Sequence, residues 1–76
     1  MTEQELRETI RTIRGIFNTP ISVIAKEIGI HQSLVTRFIN DNMQVGVRPS
    51  EHLLKSLENW CNTKIRLFKE QLGGEQ

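Results

Sequence analysis

Apolar residues recur every three or four positions along most of this chain, and the breaks in that rhythm divide it into segments. Over residues 2–17, Leu6, Ile10, Ile13 and Phe17 are spaced by four, three and four, which lays one stripe along a helix. Glu3, Glu5 and Glu8 lie in its first half and Arg11 and Arg14 in its second, the order that suits a helix dipole. Asn18-Thr19-Pro20 ends it: proline cannot continue a helix but is tolerated as the first residue of the next, with Thr19 as N-cap. That second helix, about 20–28, places Ile21, Ile24, Ala25 and Ile28 on one face. Gly29 then closes it in the left-handed conformation, which costs glycine no steric penalty. Ile30 follows, and a third helix over about 32–39 turns Val35 and Phe38 inward until Asn40-Asp41-Asn42 stops it.

Beyond this point Met43, Val45 and Val47 alternate with polar or small residues, a weak pattern that admits a short extended strand. Arg48-Pro49-Ser50-Glu51 opens the last helical stretch. There Leu53, Leu54, Leu57, Trp60, Cys61, Ile65, Phe68 and Leu72 keep helical spacing as far as Gly73-Gly74. Asn62-Thr63 leaves two readings open, one long helix or two helices joined by a bend. The pattern predicts an all-α chain forming one domain over 1–76, with a helix-turn-helix core at 20–40 and a C-terminal helical segment at 50–72. Trp60, Phe68 and Leu72 are expected either in the core or in a dimer seam, since so small a domain gains from doubling its core.

Two short helices joined by a glycine-containing tight turn form a helix-turn-helix unit. Ala25 sits where the two helices cross most closely, Gly29 at the turn, and Ile24, Ile28, Ile30, Val35 and Phe38 at the apolar positions that lock the pair. With these slots filled, 19–41 resembles the helix-turn-helix of the lambda-type repressor and Cro (XRE) family of DNA-binding regulators. Asn40 followed by Arg48-Pro49-Ser50 is similar to that family's connection into a leucine-rich fourth helix, so the resemblance covers roughly residues 5–70.

The resemblance implies a lambda-repressor-like bundle of four or five helices whose third helix enters the DNA major groove, where base edges display distinct donors and acceptors. Carried onto this chain, the residues facing bases are Gln32, Ser33, Leu34, Thr36 and Arg37. Gln32 pairs with adenine, Leu34 packs on a thymine methyl, and Arg37 grips guanine or phosphate or pairs with Asp41. The phosphate contacts fall at Thr19, Ile21, His31 and Arg48, the first two through backbone N–H groups at the start of the second helix. The match departs at His31, in a slot where Ser or Thr usually caps the third helix and histidine is expected to cap poorly. It departs also at Ile39, an apolar residue expected near that helix's exposed end.

Composition changes this picture at one point. Ten Lys and Arg against nine Asp and Glu leave a net charge of +1, which is not the footprint of a strongly basic nucleic-acid binder. The Arg7-Arg11-Arg14 row reads as a solvated face offset by Glu3 and Glu8. Cys61, the lone cysteine, lies on the apolar stripe and reads as a packed thiol; with no internal disulfide, leader or membrane span in view, the chain is expected to be cytoplasmic. His31 and His52 have no partners at ligand spacing, so neither metal nor cofactor is expected, and no catalytic constellation is present. The leading expectation is a sequence-specific transcriptional regulator, of the kind encoded by phages and other mobile elements, binding a double-stranded operator as a homodimer. The alternative is a protein-binding modulator, an anti-repressor or inhibitor docking on another regulatory protein or a nucleic-acid enzyme. Its contact surface would be Leu34, Ile39, Met43, Val45 and Val47. An antitoxin with a toxin-binding last helix would combine the two.

Overall fold

A computed structural model describes residues 1–41 and 48–73. Among them four helices follow one another: α1 (Glu3–Phe17), α2 (Ile21–Ile28), α3 (Gln32–Ile39) and α4 (Glu51–Gly73). The fold is an all-α bundle of the helix-turn-helix kind, at the lower of the two helix numbers expected. The alternating Met43, Val45 and Val47 fall outside the described residues.

Each helix begins and ends where side chains satisfy its orphan backbone groups. At the start of α1 the Thr2 hydroxyl accepts the Glu5 N–H at 3.1 Å while the Glu5 carboxylate accepts the Thr2 N–H at 2.8 Å, a reciprocal capping box. The Thr2 N–H, and after it the Thr2 hydroxyl, hold the Glu5 carboxyl below the usual carboxylate range. Asn18 closes α1 in the left-handed region at φ 53°. The junction that follows departs from expectation: Thr19 does not cap α2. Its backbone is spent on α1 instead, the N–H donating to Arg14 O at 3.2 Å and the carbonyl accepting Arg14 Nε at 3.0 Å. Pro20 takes the cap position without a side-chain bond.

Gly29 adopts φ 71°, and the Ala25 carbonyl accepts N–H groups from both Gly29 and Ile30, which turns the chain into α3. At the other end of the chain, Ser50 Oγ accepts the Leu53 N–H at 3.1 Å and starts α4.

The core gathers one stripe from each helix. Ile10 of α1, Ile24 of α2, Val35 and Phe38 of α3, and Leu57 and Cys61 of α4 are fully buried, with Leu6, Ile13, Ala25, Leu53 and Trp60 around them. Burying a side chain of this size stabilises the fold by about 1.5–3 kcal/mol. Ile39 belongs to this core, at 1% exposure, and not to an exposed helix end. Val35, Phe38 and Ile39 form an i, i+3, i+4 set that α1 covers.

α4 is one unbroken helix of 23 residues, about 34 Å at 1.5 Å per residue. Asn62 and Thr63 are exposed on its outer side, where polar residues leave the backbone ladder intact. Its last turns run past the bundle. Phe17 meets Phe68 edge to face at 6.1 Å between ring centroids, but α1 ends there, so Leu72 is 64% exposed and not part of the core. No helix among the described residues is long and apolar enough to cross a membrane.

Candidate nucleic-acid interface

α3 has only eight residues and would be marginal as a helix by itself. It persists because it is fastened at both ends. At its start His31 Nδ1 accepts the Ser33 backbone N–H at 3.2 Å and lies 2.8 Å from Ser33 Oγ. Histidine therefore does cap this helix, the ring nitrogen standing in for the usual hydroxyl oxygen. Because Nδ1 accepts, the imidazole proton belongs on Nε2, and Ser33 Oγ–H can donate to the same nitrogen. Ser33 Oγ is then left to present its lone pairs to solvent.

At the far end two guanidinium groups from α1 reach the last carbonyls. Arg7 Nε donates to Phe38 O at 2.7 Å and Arg11 Nη2 to Ile39 O at 2.7 Å. Arg7 is buried, with its Cζ 4.6 Å from the centroid of the Phe38 ring, and Nη2 lies 3.3 Å from Asp41 Oδ1 and 3.6 Å from Glu3 Oε1. Positive charge at a helix C-terminus is favoured by the dipole and satisfies carbonyls that have no partner within the helix. Arg14 makes the equivalent bond to Thr19 O one turn further along α1. The arginine row is thus not a solvated face. It is a set of struts that fixes how α2 and α3 sit on α1.

Between these fastenings the outward side of α3 is left open. His31, Gln32, Ser33, Thr36 and Arg37 line one shallow concavity, so four of the five expected base contacts share a surface. Gln32, Ser33 and Arg37 are exposed and Thr36 is half-buried. Leu34 lies off this surface, 41% exposed. Arg37 makes no ion pair among the described residues, and Asp41, its expected partner, pairs with Arg7 instead. Of the apolar contact surface expected for a protein-docking module, Leu34 remains. Ile39 is buried, and Met43, Val45 and Val47 lie outside the described residues.

The expected phosphate contacts divide. Thr19 cannot offer its N–H, which is held by Arg14 O. Ile21 is half-buried, but its amide and that of Ser22 open α2, where Val23 and Ile24 are the first to donate back, to Pro20 O. His31 and Arg48 are exposed.

A second polar tie escaped the sequence pattern. Trp60 Nε1 donates to Glu27 Oε1 at 2.7 Å, and Lys64 Nζ stands 3.5 Å from the same oxygen and 5.7 Å from the Trp60 ring centroid. This anchors the outer side of α2 to α4. Nothing in the spacing of Glu27 marks it, since its partner is 33 residues away. Cys61 is buried, and that burial, with the nearby Glu58 charge, pushes its thiol up to about 11, out of the range of a nucleophile at neutral pH. Among the described residues no three His, Cys, Asp or Glu side chains gather in a way that could hold a metal ion. No family model, curated protein or solved structure matches this chain.

Proposed function

We propose that this chain is a cytoplasmic, non-enzymatic transcriptional regulator that reads an operator by laying the first turns of α3 in the major groove. The observation that carries the reading is the asymmetry of α3, clamped by Arg7 and Arg11 at its C-terminal end and open at its polar N-terminal half. Gln32 is assigned to an adenine edge, Ser33 Oγ to a base amino group as acceptor, and Thr36 and Arg37 to the bases a turn later. Leu34 contacts a thymine methyl from the flank. The Ile21 and Ser22 amides, His31 Nε2 and Arg48 position the phosphates. Two copies bind a palindrome with half-sites about 34–36 Å apart.

The test is selection of bound duplexes from a random pool, followed by a salt titration on the selected site. Lys26, Arg37 and Arg48 are the exposed cations on or beside the helix-turn-helix. Three phosphates neutralised per copy give a slope of log affinity against log salt of about −5 for a dimer. Gln32→Ala should cost about 1–3 kcal/mol of discrimination at one base pair. A pool that returns no enriched sequence, or a slope near zero, would instead favour the protein-docking modulator, with Leu34 as the contact to test next.

A further inference from the structure

The flank of the molecule opposite α3 carries an apolar groove with nothing in it. α1 and α4 run in the same direction, because Leu6 lies beside Leu54 and Glu58 at one end while Phe17 meets Phe68 at the other. Between them a groove of about 660 Å³ is lined by Ile16, Phe17, Ile65, Phe68 and Leu72. Ile16 is 53% exposed, and Leu72 stands on the overhang of α4 where α1 has already ended. On α1 this face is roughly 150° round the helix from the Arg7-Arg11-Arg14 struts, at 100° per residue. Whatever fills the groove leaves the open side of α3 free.

The charges on the groove rim are sorted along its length. Glu5 and Glu8 line the end nearer the start of α1, and Lys64 and Lys69 belong to the later turns of α4. Lys64 is engaged by Glu27 at 3.5 Å, whereas Lys69 makes no ion pair among the described residues. Glu5 and Glu8 have hydrogen-bond donors only from their own helix start, Thr2 and Gln4.

We propose that this groove is the homodimer interface, closed by a second copy of the chain laid antiparallel across it. A two-fold axis through the groove makes one patch meet itself. The antiparallel arrangement sets Lys69 of each copy beside Glu8 and Glu5 of the other, whereas a parallel one would set like charges together. The apolar overhang of α4, which its own chain leaves uncovered, is then buried on the partner's Ile16 and Phe68. The proposal names the surface behind the dimeric part of the DNA-binding reading and rests on that reading only for its purpose, so it is tested without DNA.

Sedimentation equilibrium of the full chain at micromolar to hundred-micromolar concentration should give twice the 8.8 kDa chain mass. Leu72→Asp and Ile16→Asp lie on exposed positions and should each weaken the dimer by about tenfold or more, with helical content by circular dichroism unchanged. Lys69→Glu should weaken it by about tenfold, and adding Glu8→Lys to that variant should restore it to within about twofold of the parent. A parent that stays monomeric throughout, or a dimer indifferent to Leu72→Asp and Ile16→Asp, overturns the proposal. So does a charge swap that deepens the defect of Lys69→Glu. A dimer that forms as described but selects no duplex would leave the interface standing and remove the DNA reading alone.

Discussion

Replacing Arg7 with methionine separates what holds α3 from what α3 presents. The side chain is buried, so methionine fills most of its volume, and the loss is electrostatic. A hydrogen bond from a charged donor to a buried carbonyl is worth about 1.5–3 kcal/mol, and Arg7 Nε to Phe38 O at 2.7 Å is of that type. The guanidinium over the Phe38 ring at 4.6 Å adds about 1–2 kcal/mol because the pair is desolvated. The ion pairs to Asp41, 70% exposed, and to Glu3, also exposed, contribute well under 1 kcal/mol in all. We expect Arg7→Met to lose about 3 kcal/mol in urea unfolding followed by circular dichroism, while Asp41→Ala loses under about 1 kcal/mol. At about 4–8 °C per kcal/mol for a domain of this size, the melting temperature should fall by more than about 10 °C. A domain of 76 residues has only about 4–11 kcal/mol in total, so the variant should remain folded at low temperature but lose much of its margin. Arg7→Lys should recover little, since an ammonium has no planar fork to place over the ring and on the carbonyl together. Arg7→Met unfolding within about 0.5 kcal/mol of the parent would refute the clamp.

The two apolar residues at either end of α3 should behave as opposites. Ile39→Glu buries a charge in the core and should cost more than about 3 kcal/mol, whereas Leu34→Asp, on the surface, should cost under about 0.5 kcal/mol in the same urea titration. The raised Cys61 thiol predicts a sign in alkali. Its folded value of about 11 exceeds the ordinary value near 9, so its stabilising contribution is complete below pH 9 and is lost between pH 9 and 11, as the unfolded chain ionises first. Parent and Cys61→Ala unfolding free energies should therefore keep a constant difference up to pH 9 and converge above it, by up to about 3 kcal/mol at pH 11. A constant difference across that whole range would show the thiol ionising freely in the folded state.

Periodicity made the helices legible because burial on one stripe is a local pattern: Leu6, Ile10 and Ile13, or Ile24 with Ala25, announce their own faces. Gly29 was legible for a similar reason, since a left-handed residue between two apolar stripes needs glycine at low cost. What escaped depends on which flank of one helix meets another. Ile39 was within reach of pattern reading, as it extends the Val35 and Phe38 stripe by one residue; resemblance to a slot commonly filled by glutamate argued the other way and was overruled by α1. The arginine struts and the Glu27–Trp60 tie were not within reach. Their acceptors are backbone carbonyls or a carboxylate 28–33 residues distant, and a carbonyl leaves no mark on a sequence. Asn62-Thr63 failed as a break because polar residues facing water do not interrupt a helix whose other side is packed.

The struts also bear on the charge balance. Arg7, Arg11 and Arg14 raise the net charge to +1, yet all three direct a nitrogen onto backbone carbonyls of their own chain, and Arg7 is shielded from solvent. The positive charge left beside α3 is small: Lys26, Arg37 and Arg48, with Glu27 turned to Trp60 and Lys64. A single copy with so few phosphate contacts would hold duplex DNA weakly at physiological salt, because non-specific affinity scales with the counterions released. Discrimination must then come from base-edge contacts made by a helix whose position is fixed before it meets the groove, and affinity from a second copy engaging the next turn of the same duplex. That division assigns a task to each flank of α1: the arginine side fixes the reading helix, and the groove on the other side recruits its twin.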